Sequence, residues 1–326
     1  MKSVDLSKFH VVTCISNPVR YSSRYQIYKK WEKAVKESGV RLTTVEMAFG
    51  DRSYEVTERN NPHHVQVRSW DELWHKENML NIGIRHICQM WPDAEYFAWV
   101  DADVFPTMMD FKAWFNEAWH QLQHYQVIQM FDYAMDMDPG YSLIGQPQQS
   151  FMSKYVKNGY QKPIHGGKWS PKGYNYGQGH PGYAWAARRE AIDALGGLID
   201  FAILGAADRH MALALVDCVE QSFPEGMTED YKKELLQWQK RAELYIREDV
   251  GYLPRSITHH WHGKKKDRGY SDRWKILIDN AFAPNDDIKY DSFGLLQLEV
   301  TNPRQMKLRD QIRTYFRSRN EDSIDV

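Results

Sequence analysis

The chain has 326 residues, 42% hydrophobic and 26% charged, which is enough apolar material for a large core and excludes a disordered chain. A net charge of −1 excludes nucleic-acid binding by overall charge alone; a local basic patch would be needed. Cys14, Cys88 and Cys218 are odd in number and far apart, so they imply buried thiols in a reducing compartment, not a disulfide scaffold or a zinc site. The N-terminal stretch lacks the apolar core of a secretory signal, and no window approaches the roughly 20 apolar residues of a membrane span. The expectation is a soluble, cytoplasmic protein. Twelve Trp and 19 Tyr suit sugar-binding surfaces, although for any single one of them a place in the core is the leading reading.

In chain order, FHVVTCISN is a β-branched run ending in polar residues and predicts a buried strand. YQIYKKWEKAVKESG has helical spacing and a glycine stop, and RLTTVEMAFG predicts a second strand. The stretch from Ser69 to Pro92 opens with Ser69 and Glu72 as an S-x-x-E capping box. Leu80, Ile84, Ile87 and Trp91 then recur at helical spacing. EYFAWV predicts a third strand. This alternation is the α/β pattern with a mainly parallel central sheet, in which ligands sit at the carboxyl ends of strands. Residues 138–182, rich in Gly, Pro, Tyr and Gln, have little periodicity and read as a long functional or mobile loop. A strand and helix follow in YAWAARREAIDALGG, then a helix in ADRHMALALVDCVEQ. TEDYKKELLQWQKRAELYIRE predicts a charged amphipathic helix on the outside, and the tail a basic amphipathic helix with an acidic, frayed end.

Asp101 and Asp103 stand at the carboxyl end of EYFAWV. In an extended segment residues i and i+2 point to one side, so both carboxylates would aim at one point. Two such charges need a neutralising partner or one raised pKa. A divalent cation, Mg²⁺ or Mn²⁺, is one solution, and a hydrogen-bonded turn is the other. Downstream, His259, His260 and His262 stand together before Gly263, followed by Lys264, Lys265, Lys266, Arg268, Arg273 and Lys275. Clustered imidazoles are candidate metal ligands. A basic run is usually a solvated face. Together, however, carboxylates, histidines and cations are what a metal-bound diphosphate needs.

In this order the motifs resemble a metal-dependent glycosyltransferase of the GT-A (Rossmann-like) fold, close to the β-1,4-galactosyltransferase-like branch. In that branch an F-N-R-A-x-L-L-N-x-G segment precedes the D-x-D strand; WHKENMLNIGI, 74–84, is similar. A G-G-x-x-A-x strand is matched by GYAWAARREAIDALGG, a G-G-E-D helix start by GAAD at 205–208, and a histidine with basic residues by 259–266. The resemblance covers roughly residues 9 to 275 and is nearest to stand-alone enzymes of bacteria and their phages. It implies a GT-A domain over 1–275, with 138–182 as acceptor loop and 220–248 as helical insertion, and a C-terminal extension over 276–326.

The resemblance also implies roles. Asp103 would be the main carboxylate ligand of Mn²⁺ or Mg²⁺, and Asp101 would share the metal or hold the donor ribose. His262, with His259 or His260, would be the downstream ligand. Lys76, Asn81 and Lys264 would lie near the donor diphosphate or sugar. Ser16, Asn17, Arg20 and Glu46 or Asp51 would line the nucleoside pocket. Asp208 would be the general base of an inverting reaction, with Tyr183 and Trp185 facing the acceptor. The family's acceptor-holding Glu is Ala207 here, which argues against an N-acetylhexosamine acceptor. The implied donor is a nucleotide sugar, foremost a UDP-sugar, and the acceptor a glycan or a hydroxylated base in phage DNA. Two other classes fit the residues: a metal-dependent phosphohydrolase or nuclease, and a non-catalytic sugar- or nucleic-acid-binding protein.

Overall fold

The computed structural model describes residues 4–163, 176–270 and 272–325; residues 164–175 of the predicted acceptor loop lie outside them. The first half runs β1 (Phe9–Ser16), α1 (Ser22–Glu37), β2 (Arg41–Phe49), β3 (His64–Ser69), α2 (Lys76–Met90), β4 (Tyr96–Val100), β5 (Val104–Pro106) and α3 (Phe111–Gln121). Then come β6 (Val127–Gln129), β7 (Tyr133–Asp136), β8 (Gln148–Gln149), α4 (Phe151–Lys157), β9 (Ala184–Arg188), α5 (Arg189–Leu195), α6 (Ala207–Ala214) and α7 (Glu229–Arg241). The chain ends with β10 (Val250–Tyr252), β11 (Ser256–His259), α8 (Asp272–Asp279), α9 (Pro284–Asp287), β12 (Ile288–Tyr290), β13 (Leu296–Leu298) and α10 (Pro303–Ser318).

The architecture is α/β, with a seven-stranded sheet in the order β10-β6-β9-β4-β1-β2-β3. It is mainly parallel; β9 runs antiparallel to both β4 and β6. Successive residues of the central strands serve opposite faces, as the period of two requires. Phe97 and Trp99 of β4 join one core with α2, α5, α6 and α7, while Ala98 and Val100 join another with α1 and α3. Helices therefore cover both faces, the expected environment of a buried parallel sheet. A second sheet, β5-β11-β7-β8, stands beyond the carboxyl end of β4 and brings residues 256–259 back toward it. No helix among the described residues is long and apolar enough to cross a membrane.

Several local expectations change. Ser69 does not cap a helix: it ends β3, an unpredicted strand, and its hydroxyl accepts the Asp71 N–H at 3.0 Å. The helix starts seven residues later at Lys76 because residues 70–75 form the crossing from the sheet edge. Within 138–182, a two-turn helix at 151–157 is capped by Ser150, whose Oγ accepts the Ser153 N–H at 3.1 Å. The amphipathic helix at 229–241 turns Tyr231, Leu235 and Trp238 into the main core, and the Trp238 indole donates to Gly197 O at 3.0 Å.

Gly83 sets how closely α2 approaches the sheet. A β-carbon there would lie 2.6 Å from Val12 Cγ2 and 2.9 Å from Val45 Cγ2. Gly83→Val should therefore overpack this contact and lower unfolding stability by about 1–3 kcal/mol, measured by urea denaturation.

Candidate active site

The carboxyl ends of β1 and β4 open into a cleft of about 220 Å³ that also receives β11, the N-termini of α2 and α6, and the chain's C-terminal segment. Asp101 and Asp103 both line it, though not by extended geometry. Residues 101–104 form a turn closed by Val104 N–H donating to Asp101 O at 3.2 Å, which sends the two carboxylates to different partners.

Asp103 meets His259 and His262. Its Oδ2 lies 3.2 Å from His262 Nε2 and 3.8 Å from His259 Nε2, and the two Nε2 atoms are 3.2 Å apart. One ligand atom from each residue falls within 4.8 Å of the others, the single such group among the described residues. Two of the three separations fall within the roughly 3.0–3.6 Å expected between neighbouring ligands bonded at about 2.1 Å to one ion, and the third, His259 to Asp103, is slightly longer. Asp103 Oδ1 is buried without a hydrogen-bond partner, and two facing imidazole nitrogens can share at most one proton. A cation between the three residues would relieve both conditions, so the donor set fits a divalent metal.

The surroundings prepare these ligands. His259 Nδ1 donates to Asp136 Oδ1 at 2.9 Å, turning Nε2 toward the cleft, the usual carboxylate support of a ligating imidazole. Asp136 also accepts the Tyr183 hydroxyl at 3.2 Å and pairs with Lys265. Burial keeps His259 below its ordinary pKa and hence neutral, as a ligand must be. Burial would raise Asp103, but His259, His262 and the Arg268 guanidinium outweigh it and hold the carboxyl below its usual range. Arg268 Nη2 donates to His262 Nε2 at 3.1 Å. His260 points elsewhere: its ring stacks on Phe105 at 4.1 Å, outside the cleft.

Asp101 is paired with Lys76, Nζ to Oδ1 at 2.5 Å. Burial depresses the Lys76 ammonium, but Asp101 outweighs it, with help from Glu77 and Asp208. Asp208, second residue of α6, lines the cleft and accepts the Arg209 N–H at 2.8 Å. Gly182 faces it so closely that a β-carbon there would lie 2.7 Å from Asp208 Oδ2.

Of the remaining predicted residues, Ser16, Asn17 and Tyr183 line the cleft. The Asn17 amide clasps the main chain of Tyr21, and Tyr183 stacks on His180 at 4.0 Å. The others lie outside it. Glu46 accepts the N–H groups of Glu55, Val56 and Thr57 at 2.6, 3.1 and 2.8 Å. Arg20 pairs with Glu55, and Asp51 is exposed in the turn after β2. Asn81 donates to Leu198 O and accepts Leu198 N–H at 3.0 and 2.8 Å. Trp185 is core, stacked on Trp99. Lys264 lines a neighbouring cavity of about 290 Å³.

Sequence reasoning missed the C-terminal wall. Glu321, 2% exposed, pairs with Arg24 and Arg319 and places Oε2 3.8 Å from His262 Nδ1. Asp322 accepts the Ser22 and Ser23 N–H groups at 2.9 and 2.8 Å, and the Trp261 indole donates to Ser323 O at 2.7 Å. At Gly263, φ +89°, a β-carbon would lie 2.8 Å from Glu321 Cα, so only glycine admits the strap.

No protein-family model and no curated protein matches this chain. Among solved structures, a mutant Drosophila β1,4-galactosyltransferase 7 in complex with manganese, UDP-Gal and xylobiose is similar, at 8% identity and TM-score 0.38, over 92% of this chain and 98% of that one. A glycosyltransferase involved in glycosylation of the major capsid of PBCV-1 is similar at 10% identity and TM-score 0.30, over 94% and 98%. At these values the functional reading rests on the site's own geometry.

Burial would raise Glu321, but Arg24 and Arg319 outweigh it and hold the carboxyl well below its usual range. Its contribution to stability is therefore present above about pH 4.3, the unfolded value, and lost as pH falls. Glu321→Ala strands two arginines and should cost about 3–5 kcal/mol at pH 7 in denaturant unfolding. The deficit should shrink in acid.

Proposed function

We propose that this chain is a metal-dependent glycosyltransferase that moves a hexose or pentose from a nucleotide-sugar donor, foremost a UDP-sugar, to an acceptor hydroxyl with inversion. The observation that carries this reading is the meeting, in one cleft, of Asp103, His259 and His262 with Asp208. Two imidazoles and one carboxylate suit Mn²⁺ better than Mg²⁺, which prefers all-oxygen surroundings. When bound, the ion supplies Lewis-acid charge to the diphosphate oxygens.

The chain's own residues do the rest. Lys76, held by Asp101, and Arg268 supply fixed positive charge beside the departing diphosphate. Ser16 and Asn17, at the end of β1, lie where the nucleoside would enter. Tyr183, packed between His180 and His259, walls the acceptor side. Asp208 takes the proton of the acceptor hydroxyl as that oxygen bonds to the anomeric carbon and the bond to the diphosphate breaks. A two-metal phosphohydrolase fits less well. Asp101 is tied to Lys76, and the described residues form no second ligand group.

With Mn²⁺ and a panel of UDP-, GDP- and TDP-sugars, the wild type should release nucleoside diphosphate from one donor. Asp103→Asn should abolish that release and weaken Mn²⁺ binding in calorimetry while melting normally; undiminished release would refute the metal role. Asp208→Asn should lower glycosyl transfer by roughly 10²–10⁴-fold with Mn²⁺ affinity retained. A loss below tenfold would point to a different base or a retaining reaction.

A further inference from the structure

Glu77 is a cleft residue that the reaction scheme leaves unused. It is the second residue of α2 and 4% exposed, and it lines the same cavity as Asp208, the second residue of α6. Its chain neighbour Lys76 is committed to Asp101. Among the described residues no ion pair joins the Glu77 carboxylate to a Lys, Arg or His nitrogen. A buried carboxylate aimed into a cleft without an ion pair is costly unless a ligand donates to it.

The sequence carries an independent sign. Aligned on Leu80, Asn81 and Gly83, the F-N-R-A-x-L-L-N-x-G segment has alanine where this chain has Glu77. The G-G-E-D segment has glutamate where this chain has Ala207. Glu77 of α2 and Asp208 of α6 thus stand where both helices begin at the same cleft.

We propose that Glu77 is an acceptor-binding residue, and that Glu77 and Asp208 together select a neutral vicinal diol, the adjacent hydroxyls of an uncharged sugar. This rests on the glycosyltransferase reading above. Asp208 takes the proton of the reacting hydroxyl; Glu77 only accepts a hydrogen bond from its neighbour, and no proton moves to it. Two carboxylates present acceptors and negative charge, so they favour a ligand rich in O–H donors and repel a phosphate. That argues for a glycan over hydroxylated DNA.

Burial pushes Glu77 up to about 7 against the pull of Lys76 on its own helix; Asp208 from α6 and Asp101 from the end of β4 push the same way, and Tyr231 of α7 faces it. The sign follows: the Glu77 contribution to stability is fully present below the unfolded value near 4.3 and is lost as pH rises through about 7. A bound diol donates to the ionised form and should pull that titration back down.

The test uses the full chain with Mn²⁺, the donor identified from the panel, and two acceptor sets: methyl glycosides of xylose, glucose, galactose and mannose, and duplex DNA containing 5-hydroxymethylcytosine. A glycoside should accelerate nucleotide release saturably. Glu77→Gln should raise its half-saturating concentration roughly tenfold or more, far more than that of the donor. Glu77→Asp should recover part of the loss. Thermal unfolding of Glu77→Gln between pH 5 and 8 should lose the wild type's decline, showing that the variant folds and that the charge was the buried one. Release with the same glycoside dependence in wild type and Glu77→Gln would overturn the assignment while leaving the enzyme class standing. Acceleration by DNA and by no glycoside would overturn the acceptor class. Release from no donor, with or without acceptor, would overturn the glycosyltransferase reading itself.

Discussion

The cleft concentrates buried carboxylates, and each must be compensated for the fold to tolerate it. Asp101 has Lys76, Asp136 has Lys265, and Glu321 has Arg24 and Arg319. Asp103 has no Lys or Arg ion pair; its closest partners are two imidazoles, of which His259 is held neutral by burial. A buried carboxylate with one oxygen unpartnered, facing two imidazole nitrogens, is a place where a cation would fit.

Legibility in the sequence followed the range of each interaction. β1 and β4 were readable as short apolar runs because a sheet covered on both faces buries nearly every strand residue. Asp101, Asp103 and the histidine cluster were readable because short spacings and a strand end announce them. Glu321 was not. It reads as one acid in a frayed acidic tail, and its partner Arg24 lies 297 residues away. Nothing local marks a long-range ion pair. Glu46 shows the opposite error. The resemblance put it in the nucleoside pocket, yet the loop at 55–57 offers it three backbone donors close by, and backbone donors have no sequence signature. Trp185 stands two residues after Tyr183, and extended geometry would put both on one face; Tyr183, with φ +79°, precedes β9 and breaks that alternation, so Trp185 joins the other core.

Which histidines join Asp103 is decided by sheet register. β5 begins immediately after the turn that carries Asp103, and β11 pairs antiparallel with it, His259 opposite Val104. His260 N–H then donates to Asp103 O at 2.9 Å, locking the main chains side by side. Successive strand residues point to opposite faces, so His259 enters the cleft while His260 goes outward onto Phe105. A slip of one residue would exchange them and break the bond from His259 to Asp136. The turn closed by Gly263 then returns His262 to the same side, because that glycine lets Glu321 pass behind it. The cluster of Asp103, His259 and His262 is thus fixed by backbone pairing at one side and by the C-terminal strap at the other. Three histidines that the sequence could not tell apart become distinct once their strand has a partner.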